Sequence, residues 1–417
     1  MNPYRNSLRR AVPAALAMLT AALLGGCGST VPGTTVAAEI DVRTLDVGSF
    51  PTEPLEYRTA YYADTDKGAE LAAMRLAGYV PDGIEIDPNL AYGRYAKAIW
   101  YPSQLSYLLA EVDTPIVERN NMLFGFAMSA ASSATGGGRM VQHDVNTYDD
   151  QKPPTDQTSV NLTVLQFPDA ESARRSATEI EAADFAVAAD ANTPVSFDAY
   201  PDAKAHWRQG IPTLGSTIAH GNYLVNVFVT RPDSDLGALK ELTQKALALQ
   251  LPLLDQLPPL SAREVLHLDS DPQAMQRRTL HEDGYISPDL EEEATFTPRG
   301  FLHTVEQQAK WRQMTDARGV DAIAQIARGA LMLRARDGDA GSALLEDFRT
   351  LAKDKIDGPP GLPDAFCQQF PPESGSNFYI CTVRYGRYVA RVTSTQLQDA
   401  QQRANAQYAL LANSSWM

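Results

Sequence analysis

Cysteine, histidine and catalytic motifs are scarce in this chain. Its 417 residues hold three Cys and six His, with no His-x-x-x-His pair. A zinc site needs clustered ligands, and the densest His and acid groupings, at 267–271 and 281–283, are typical of solvated acidic loops. The Gly-x-Ser-x-Gly elbow of many hydrolases is absent, as is Ser-x-x-Lys. The sequence therefore predicts no metal, no cofactor and no catalytic residue.

Positive charge is also in deficit. The chain has 36 Lys and Arg against 51 Asp and Glu, a formal net charge of −15. Such a charge repels nucleic acid and anionic lipid headgroups, so we expect no nucleic-acid partner. Apolar residues make up 44% of the chain, which is enough for packed cores.

No apolar run is long enough to cross a bilayer. The run from Ala11 to Leu24 falls short of the roughly 20 residues that a spanning helix needs. It follows Arg5, Arg9 and Arg10, and a basic start before a short apolar stretch is typical of a secretory signal. The alternative is an uncleaved transmembrane helix.

The end of this run resembles a bacterial lipobox. Leu24-Gly25-Gly26-Cys27 has the small residues of a cleavage site followed by the Cys that receives diacylglycerol in such proteins. We therefore predict a signal peptide at 1–26, a lipidated Cys27 and attachment to the outer face of the cell membrane. The acyl chains, including palmitate, would anchor the protein rather than a basic patch.

The other two cysteines are predicted to form a disulfide. Export favours oxidation, and no third ligand accompanies Cys367 and Cys381 at a metal-binding spacing. Closing this loop would contribute roughly 3 kcal/mol by the chain-entropy relation. A metal or redox site is the alternative.

The body of the chain contains an internal repeat. Three short matches occur in the same order, about 165 residues apart, which is the signature of a duplicated structural unit. The matched segments are 169–173 with 339–343, 201–203 with 363–365, and 221–227 with 386–392. By this alignment Cys367 corresponds to Ala205 and Cys381 to Ser216.

Each repeat has the pattern of strand, helix, strand, strand and helix. Asp169 stands where a helix N-cap is expected, and His220-Gly221-Asn222 is predicted to form a hairpin turn. The predicted strands are 160–167, 213–219, 223–230, 330–335, 378–385 and 388–393, and the predicted helices are 170–183, 236–251, 340–353 and 395–411. This order predicts an α+β fold of two ferredoxin-like units, with helices on one face of antiparallel sheets.

These patterns divide the chain into five segments. The signal peptide at 1–26 is followed by a Ser-, Thr-, Pro- and Gly-rich tether at 27–56. An N-terminal α+β domain is predicted at 57–255 and a C-terminal one, with the disulfide, at 301–417. A linker with an acidic connection occupies 256–300.

A family resemblance adds to this interpretation. The lipobox, the stretch Leu45-Asp46-Val47-Gly48-Ser49-Phe50-Pro51-Thr52 and the two related units resemble a family of uncharacterised actinobacterial lipoproteins found in mycobacteria and nocardiae. That family implies no activity and no catalytic residue. The units are also similar, more loosely, to extracytoplasmic sensor modules of mycobacterial kinases and lipoproteins.

Tyrosine is concentrated near the start of the N-terminal domain. Eight of the 17 Tyr lie between Tyr57 and Tyr107. Tyrosine combines apolar area with a polar tip and is common at binding surfaces. One interpretation is a groove lined by Tyr92, Tyr95, Trp100 and Tyr101; the other is that these rings are half-buried cover for the core.

Together these features predict a non-enzymatic, lipid-anchored module of the cell envelope that binds an envelope protein or a small ligand. Two alternatives stay open. One is an envelope hydrolase whose site is assembled from dispersed residues such as His206 or His220 with nearby acids. The other is a structural spacer.

The lipid anchor can be tested directly. Replacing Cys27 with Ser removes the acceptor thiol, so we expect the Cys27→Ser protein to move from the membrane fraction to the soluble fraction. The measurement is fractionation followed by immunoblotting. Retention of Cys27→Ser in the membrane would contradict the lipobox interpretation.

Overall fold

The computed structural model describes residues 40–133, 156–282, 284–326, 330–370 and 378–416. The predicted signal peptide and Cys27 lie outside the described residues, as do residues 28–39 of the predicted tether. Residues 41–417 group into one compact unit. Within the described part of the chain, no helix has both the length and the hydrophobicity needed to cross a membrane.

Helices and strands alternate along the chain in two similar series. The helices are α1 Tyr57–Ala60, α2 Thr65–Ala77, α3 Gly83–Ile86, α4 Thr114–Arg119, α5 Ala170–Ala186, α6 Leu236–Leu254, α7 Ala262–Leu266, α8 Pro298–Leu302, α9 Gln308–Arg318, α10 Gly338–Leu351 and α11 Leu397–Asn413. The strands are β1 Tyr92–Ile99, β2 Phe124–Ala131, β3 Ser159–Gln166, β4 Asn192–Val195, β5 Lys204–Arg208, β6 Thr213–His220, β7 Tyr223–Thr230, β8 Ala294–Phe296, β9 Ala322–Ile326, β10 Ala330–Arg334, β11 Lys355–Asp357, β12 Phe366–Phe370, β13 Phe378–Tyr385 and β14 Tyr388–Ser394.

Two antiparallel sheets have the same topology. The N-terminal sheet has the order β1-β2-β3-β7-β6-β5-β4, and the C-terminal sheet, taken from its β8 edge, has the order β8-β9-β10-β14-β13-β12-β11. Each therefore has seven strands among the described residues, in equivalent positions. The predicted α+β class and the two similar antiparallel units are confirmed, and the structure adds strands at both edges of each sheet.

Local sequence signals explain why the repeated elements begin and turn where they do. The Asp169 side chain accepts the Ser172 N–H at 2.7 Å and caps α5, as predicted. Asp337 caps α10 in the same way. The hairpins β6–β7 and β13–β14 each turn at a glycine, Gly221 and Gly386, with φ of 55°. That left-handed conformation carries little strain for glycine.

One hydrophobic core joins the two sheets. It contains side chains from β3 and β7 of the N-terminal sheet and from β9, β10 and β14 of the C-terminal sheet. The core residues from these strands are Val160, Leu162, Val164, Tyr223, Val225, Val227, Val229, Ile323, Leu333 and Val389. A second cluster covers the opposite face of the N-terminal sheet, where α5 contributes Ala173, Ala177 and Ile180. Helices therefore pack against both faces of that sheet.

Charged groups connect α3 to the C-terminal half of the chain. Asp82 is the buried N-cap of α3, and Arg312 of α9 donates to it. Glu85 accepts two hydrogen bonds from Arg299 of α8, at 3.1 and 3.0 Å, and lies 3.5 Å from Arg312. We call these four residues the junction. Burial raises the pKa of Asp82 even though Arg312 opposes the shift, so desolvation of this carboxylate is a dominant energy term.

Polar and aromatic contacts reinforce the junction. The buried His303 ring contacts the carbonyl oxygens of Ala77 and Val80 at 3.2 and 3.1 Å. Trp311 packs edge-on against Phe301 and Phe348, with ring centroids 5.1 and 6.0 Å apart. These contacts place α8 and α9 against the end of α2.

Another contact between the N-terminal and C-terminal halves of the chain involves a buried acid. Glu70 of α2 accepts the Leu290 N–H at 2.7 Å. Burial, with a smaller contribution from the nearby Asp289 and Glu291, raises the pKa of Glu70 to about 8. The carboxyl group is therefore mostly protonated at neutral pH.

Breaking the junction should destabilise the fold. Arg312→Met leaves the buried Asp82 carboxylate without its cation, and we expect a loss of about 3–5 kcal/mol in the free energy of unfolding, as for other broken buried pairs. Urea denaturation followed by circular dichroism measures this. The double variant Asp82→Asn/Arg312→Met removes both charges and should recover at least half of the lost free energy of unfolding. A loss below about 1 kcal/mol in Arg312→Met alone would show that the pair is not important for stability.

The buried Glu70 should make stability pH-dependent. Its pKa in the folded state lies above its unfolded value, so its ionisation opposes folding as pH rises from about 4.5 to about 8. Glu70→Gln keeps the oxygen that accepts from Leu290 and cannot ionise. We expect it to match the parent near pH 4 and to be about 2–4 kcal/mol more stable at pH 9. The measurement is urea denaturation at both pH values. The exposed Glu118→Gln is the control, and a Glu70→Gln difference that does not grow with pH would contradict the assignment.

Candidate functional site

Cys367 and Cys381 form a disulfide inside the C-terminal sheet. The two residues face each other in the β12–β13 register, with Cα atoms 4.0 Å apart, and both are buried. Their counterparts in the N-terminal sheet, Ala205 and Ser216, also face each other, in the β5–β6 register. The alignment of the two repeats is therefore correct at this position, and the disulfide occurs in the second repeat.

The four aromatic residues of the predicted groove lie in two pairs. Tyr92 and Tyr95 are in β1 and pair with Ala131 and Ser129 of β2. The register shifts between Gly93 and Tyr95, so the two tyrosines lie on the same face of the sheet. Trp100 and Tyr101 follow the other end of β1, with ring centroids 6.0 Å apart. An eight-residue strand spans roughly 25 Å, so the structure does not bring the two pairs together.

The first turn of α2 contacts both Tyr101 and a further exposed aromatic residue, Tyr62, which lies three residues before the helix. The Tyr101 hydroxyl donates to Asp66, in the first turn of α2. Lys67 of the same turn donates to the Tyr62 carbonyl at 3.2 Å. We call Tyr62, Trp100 and Tyr101 the aromatic patch.

The aromatic patch combines exposure with fixed positions. Tyr62 is 72% exposed and Tyr101 is 46% exposed, whereas Trp100 is half-buried against the core. The backbone N–H groups of Trp100 and Tyr101 both donate to Gln104, at 2.8 and 2.9 Å. The sequence analysis missed Tyr62, and its position in the tyrosine-rich segment was the available signal.

A second group of candidate side chains, which are ionisable, surrounds the end of α5. His206 of β5 contacts Glu181 at 2.9 Å through Nδ1, and its ring packs edge-on against Phe185. Burial raises the pKa of Glu181 and of Asp184 one turn further along. The charges of Asp184 and Glu181 in turn raise the pKa of Asp113, which precedes α4.

Asp113 is the most unusual acid of this group. It is fully buried, and neither carboxyl oxygen has a hydrogen-bond partner of normal geometry among the described residues. Burial, followed by repulsion from Asp184 and Glu181, raises the pKa of Asp113 to about 7. The group can therefore hold or release a proton near neutral pH. No cluster of His, Cys, Asp or Glu in the described ranges has the arrangement of a metal site.

His220 and His281 lie near acidic side chains, His267 is exposed, and His143 lies outside the described residues. His220 contacts the exposed Asp255 at 2.6 Å. In the polar segment around 267–271, Asp271 is buried and accepts from the backbone and side chain of Arg277. His281 is buried 3.9 Å from Glu293. This segment is thus part of the folded structure rather than a solvated loop throughout.

Comparison with known proteins identifies the family. A family model described as domain of unknown function (DUF7373) N-terminal matches residues 59–270, and the corresponding C-terminal model matches residues 275–414. No curated protein matches the chain. The extracellular domain of PknH from Mycobacterium tuberculosis is similar over 44% of this chain and 96% of that chain, at 12% identity and a TM-score of 0.28, which is too low to establish a shared fold. Because the two family models together cover most of the chain, the protein belongs to the DUF7373 family, whose two domains have no known function.

Proposed function

We propose that this protein is an exported, lipid-anchored module of the cell envelope that binds a ligand or partner protein through the aromatic patch. The observation that carries the binding proposal is the exposure of two aromatic rings, those of Tyr62 and Tyr101. The first turn of α2 is hydrogen-bonded to the Tyr62 backbone carbonyl and to the Tyr101 hydroxyl. Rigid tyrosine and tryptophan side chains supply much of the binding energy at protein surfaces. The lipobox supplies the anchor at Cys27.

The disulfide supports the proposed location. Disulfides persist in oxidising compartments and are rare in the cytosol. Pairing of Cys367 with Cys381 leaves Cys27 as the remaining thiol of the chain. This agrees with an actinobacterial lipoprotein whose folded part lies on the outer face of the membrane.

An envelope hydrolase is the second candidate function. It is favoured by the contact between His206 and Glu181 and by the raised pKa of the neighbouring Asp113, since general acid–base catalysis uses groups that titrate near the working pH. Turnover of an ester, amide or glycoside substrate that is abolished in Glu181→Gln would favour this function over the binding module.

Native mass spectrometry tests the binding proposal. The full-length lipoprotein is purified from its own membranes in mild detergent, and we expect a stoichiometric mass beyond the lipidated chain. Removing both exposed rings in Tyr62→Ser/Tyr101→Ser should lower the occupancy of that species at least tenfold, equivalent to about 1.4 kcal/mol, because the contact area is lost.

The control is Tyr285→Ser, which removes a ring of similar exposure, 52%, outside the aromatic patch. It should retain the bound species. A clean lipidated monomer from the parent protein would count against the binding module and favour the structural spacer. A bound species that survives in the double variant would place the binding surface elsewhere.

A further inference from the structure

One arginine of the C-terminal sheet lies beneath α10. It is on the face of the sheet that contributes to the shared core, which we call the inner face. Arg391 is in β14, two residues after Val389, so the two side chains point to the same face. Val389 belongs to the shared core together with Phe348 of α10. The Arg391 guanidinium lies over the Phe348 ring, 4.9 Å from its centroid.

This guanidinium has no anionic partner among the described residues. Nε is buried and without an acceptor, and no carboxylate of the described residues forms an ion pair with Arg391. Burial alone lowers the pKa of Arg391 to about 10. Stacking on an aromatic ring offsets part of the desolvation of a cation but does not satisfy its N–H donors.

Other arginines of this protein lie against acidic side chains. At the junction, Arg299 and Arg312 each lie against carboxylates, as is usual for arginines withdrawn from water. Arg391 is only partly buried as a residue. Part of its side chain is therefore reachable from solvent, and Nη1 and Nη2 are not among the buried atoms without a partner in the described part of the chain.

The other repeat provides an internal comparison. The segment 221–227 aligns with 386–392, so Asn226 occupies the position of Arg391. Asn226 donates to Thr217 on the neighbouring strand at 2.8 Å, and Thr382 occupies the equivalent position opposite Arg391. A short neutral side chain thus satisfies this position in the same topology, so the fold itself does not require a cation here.

We propose that Arg391 anchors a binding site for an oxyanion, a carboxylate or phosphate group, on the inner face of the C-terminal sheet beneath α10. The planar guanidinium can donate two parallel hydrogen bonds to such a group. The bound anion neutralises a charge that otherwise lacks a partner. This site is separate from the aromatic patch, so a negative result for either one leaves the other unaffected.

Anion titration of the full-length protein tests the site. The protein is dialysed into a phosphate- and carboxylate-free chloride buffer, and thermal unfolding is followed as inorganic phosphate or acetate replaces chloride at constant ionic strength. We expect a saturable rise in the melting temperature with at least one of the two anions. The anion that produces it identifies the ligand class.

Matched variants assign the effect to Arg391. Arg391→Met removes the charge and retains an apolar contact for Phe348, and it should weaken the apparent affinity at least tenfold. Arg387→Met removes an arginine of the neighbouring hairpin turn, which lies over Tyr388, and it should leave the affinity unchanged. In the anion-free buffer Arg391→Met should melt at the same temperature as the parent or higher, because an unpartnered charge has been removed.

The outcomes separate a binding site from a structural arginine. No saturable response in the parent, or an equal response in Arg391→Met, would overturn the proposal, as would a large drop in the anion-free melting temperature of Arg391→Met. Should Arg391→Met fail to fold, NMR spectroscopy of a ¹⁵N-arginine-labelled sample tests anion binding instead. The Nε–H resonance of Arg391 is assigned with the Arg391→Lys variant and followed during the anion titration. It should shift saturably with the anion, and an unchanged resonance would refute the site.

Discussion

The two sheets depend on a single shared core, and the junction is the part of that core where charge is buried. Each sheet presents one apolar face to the other half of the chain, so each half requires the other to remove that face from water. Asp82 and Arg312 lie where the halves meet. A carboxylate withdrawn from water is acceptable there because its cation and the N-terminus of α3 lie against it.

Duplication has preserved the backbone and changed the side chains. The strand order is the same in both sheets, but one register position holds Ala205 opposite Ser216 in the first repeat and a disulfide in the second. Another holds Asn226 hydrogen-bonded to Thr217 in the first repeat and, in the second, Arg391, whose Nε has no partner among the described residues. Positions that differ in this way, on a scaffold that does not need the difference, are where function is most readily found.

Much of the fold could be predicted from the sequence because the repeated elements have strong local signals. Strands β7 and β13 match the predicted 223–230 and 378–385, since runs of apolar and β-branched residues beside a glycine turn favour a hairpin. The N-cap at Asp169 marks the start of α5. The edge strands β4 and β11 and their neighbours β5 and β12 were missed because they are short and have mixed polarity, so their pairing depends on neighbours distant in sequence. Strands β1, β2, β8 and β9, on the other side of each sheet, were missed as well.

The sequence by itself determined the α+β class, the two similar antiparallel units and the pairing of Cys367 with Cys381, because periodicity, capping and cysteine count are local or compositional signals. Only the tertiary structure decided which side chains meet. It divided the four predicted aromatic residues into two pairs and attached the Tyr101 hydroxyl and the Tyr62 carbonyl to the first turn of α2. It also placed His206 against Glu181 and left Arg391 without a carboxylate. These outcomes follow from burial and from contacts between residues far apart in the chain, which no short window of sequence contains.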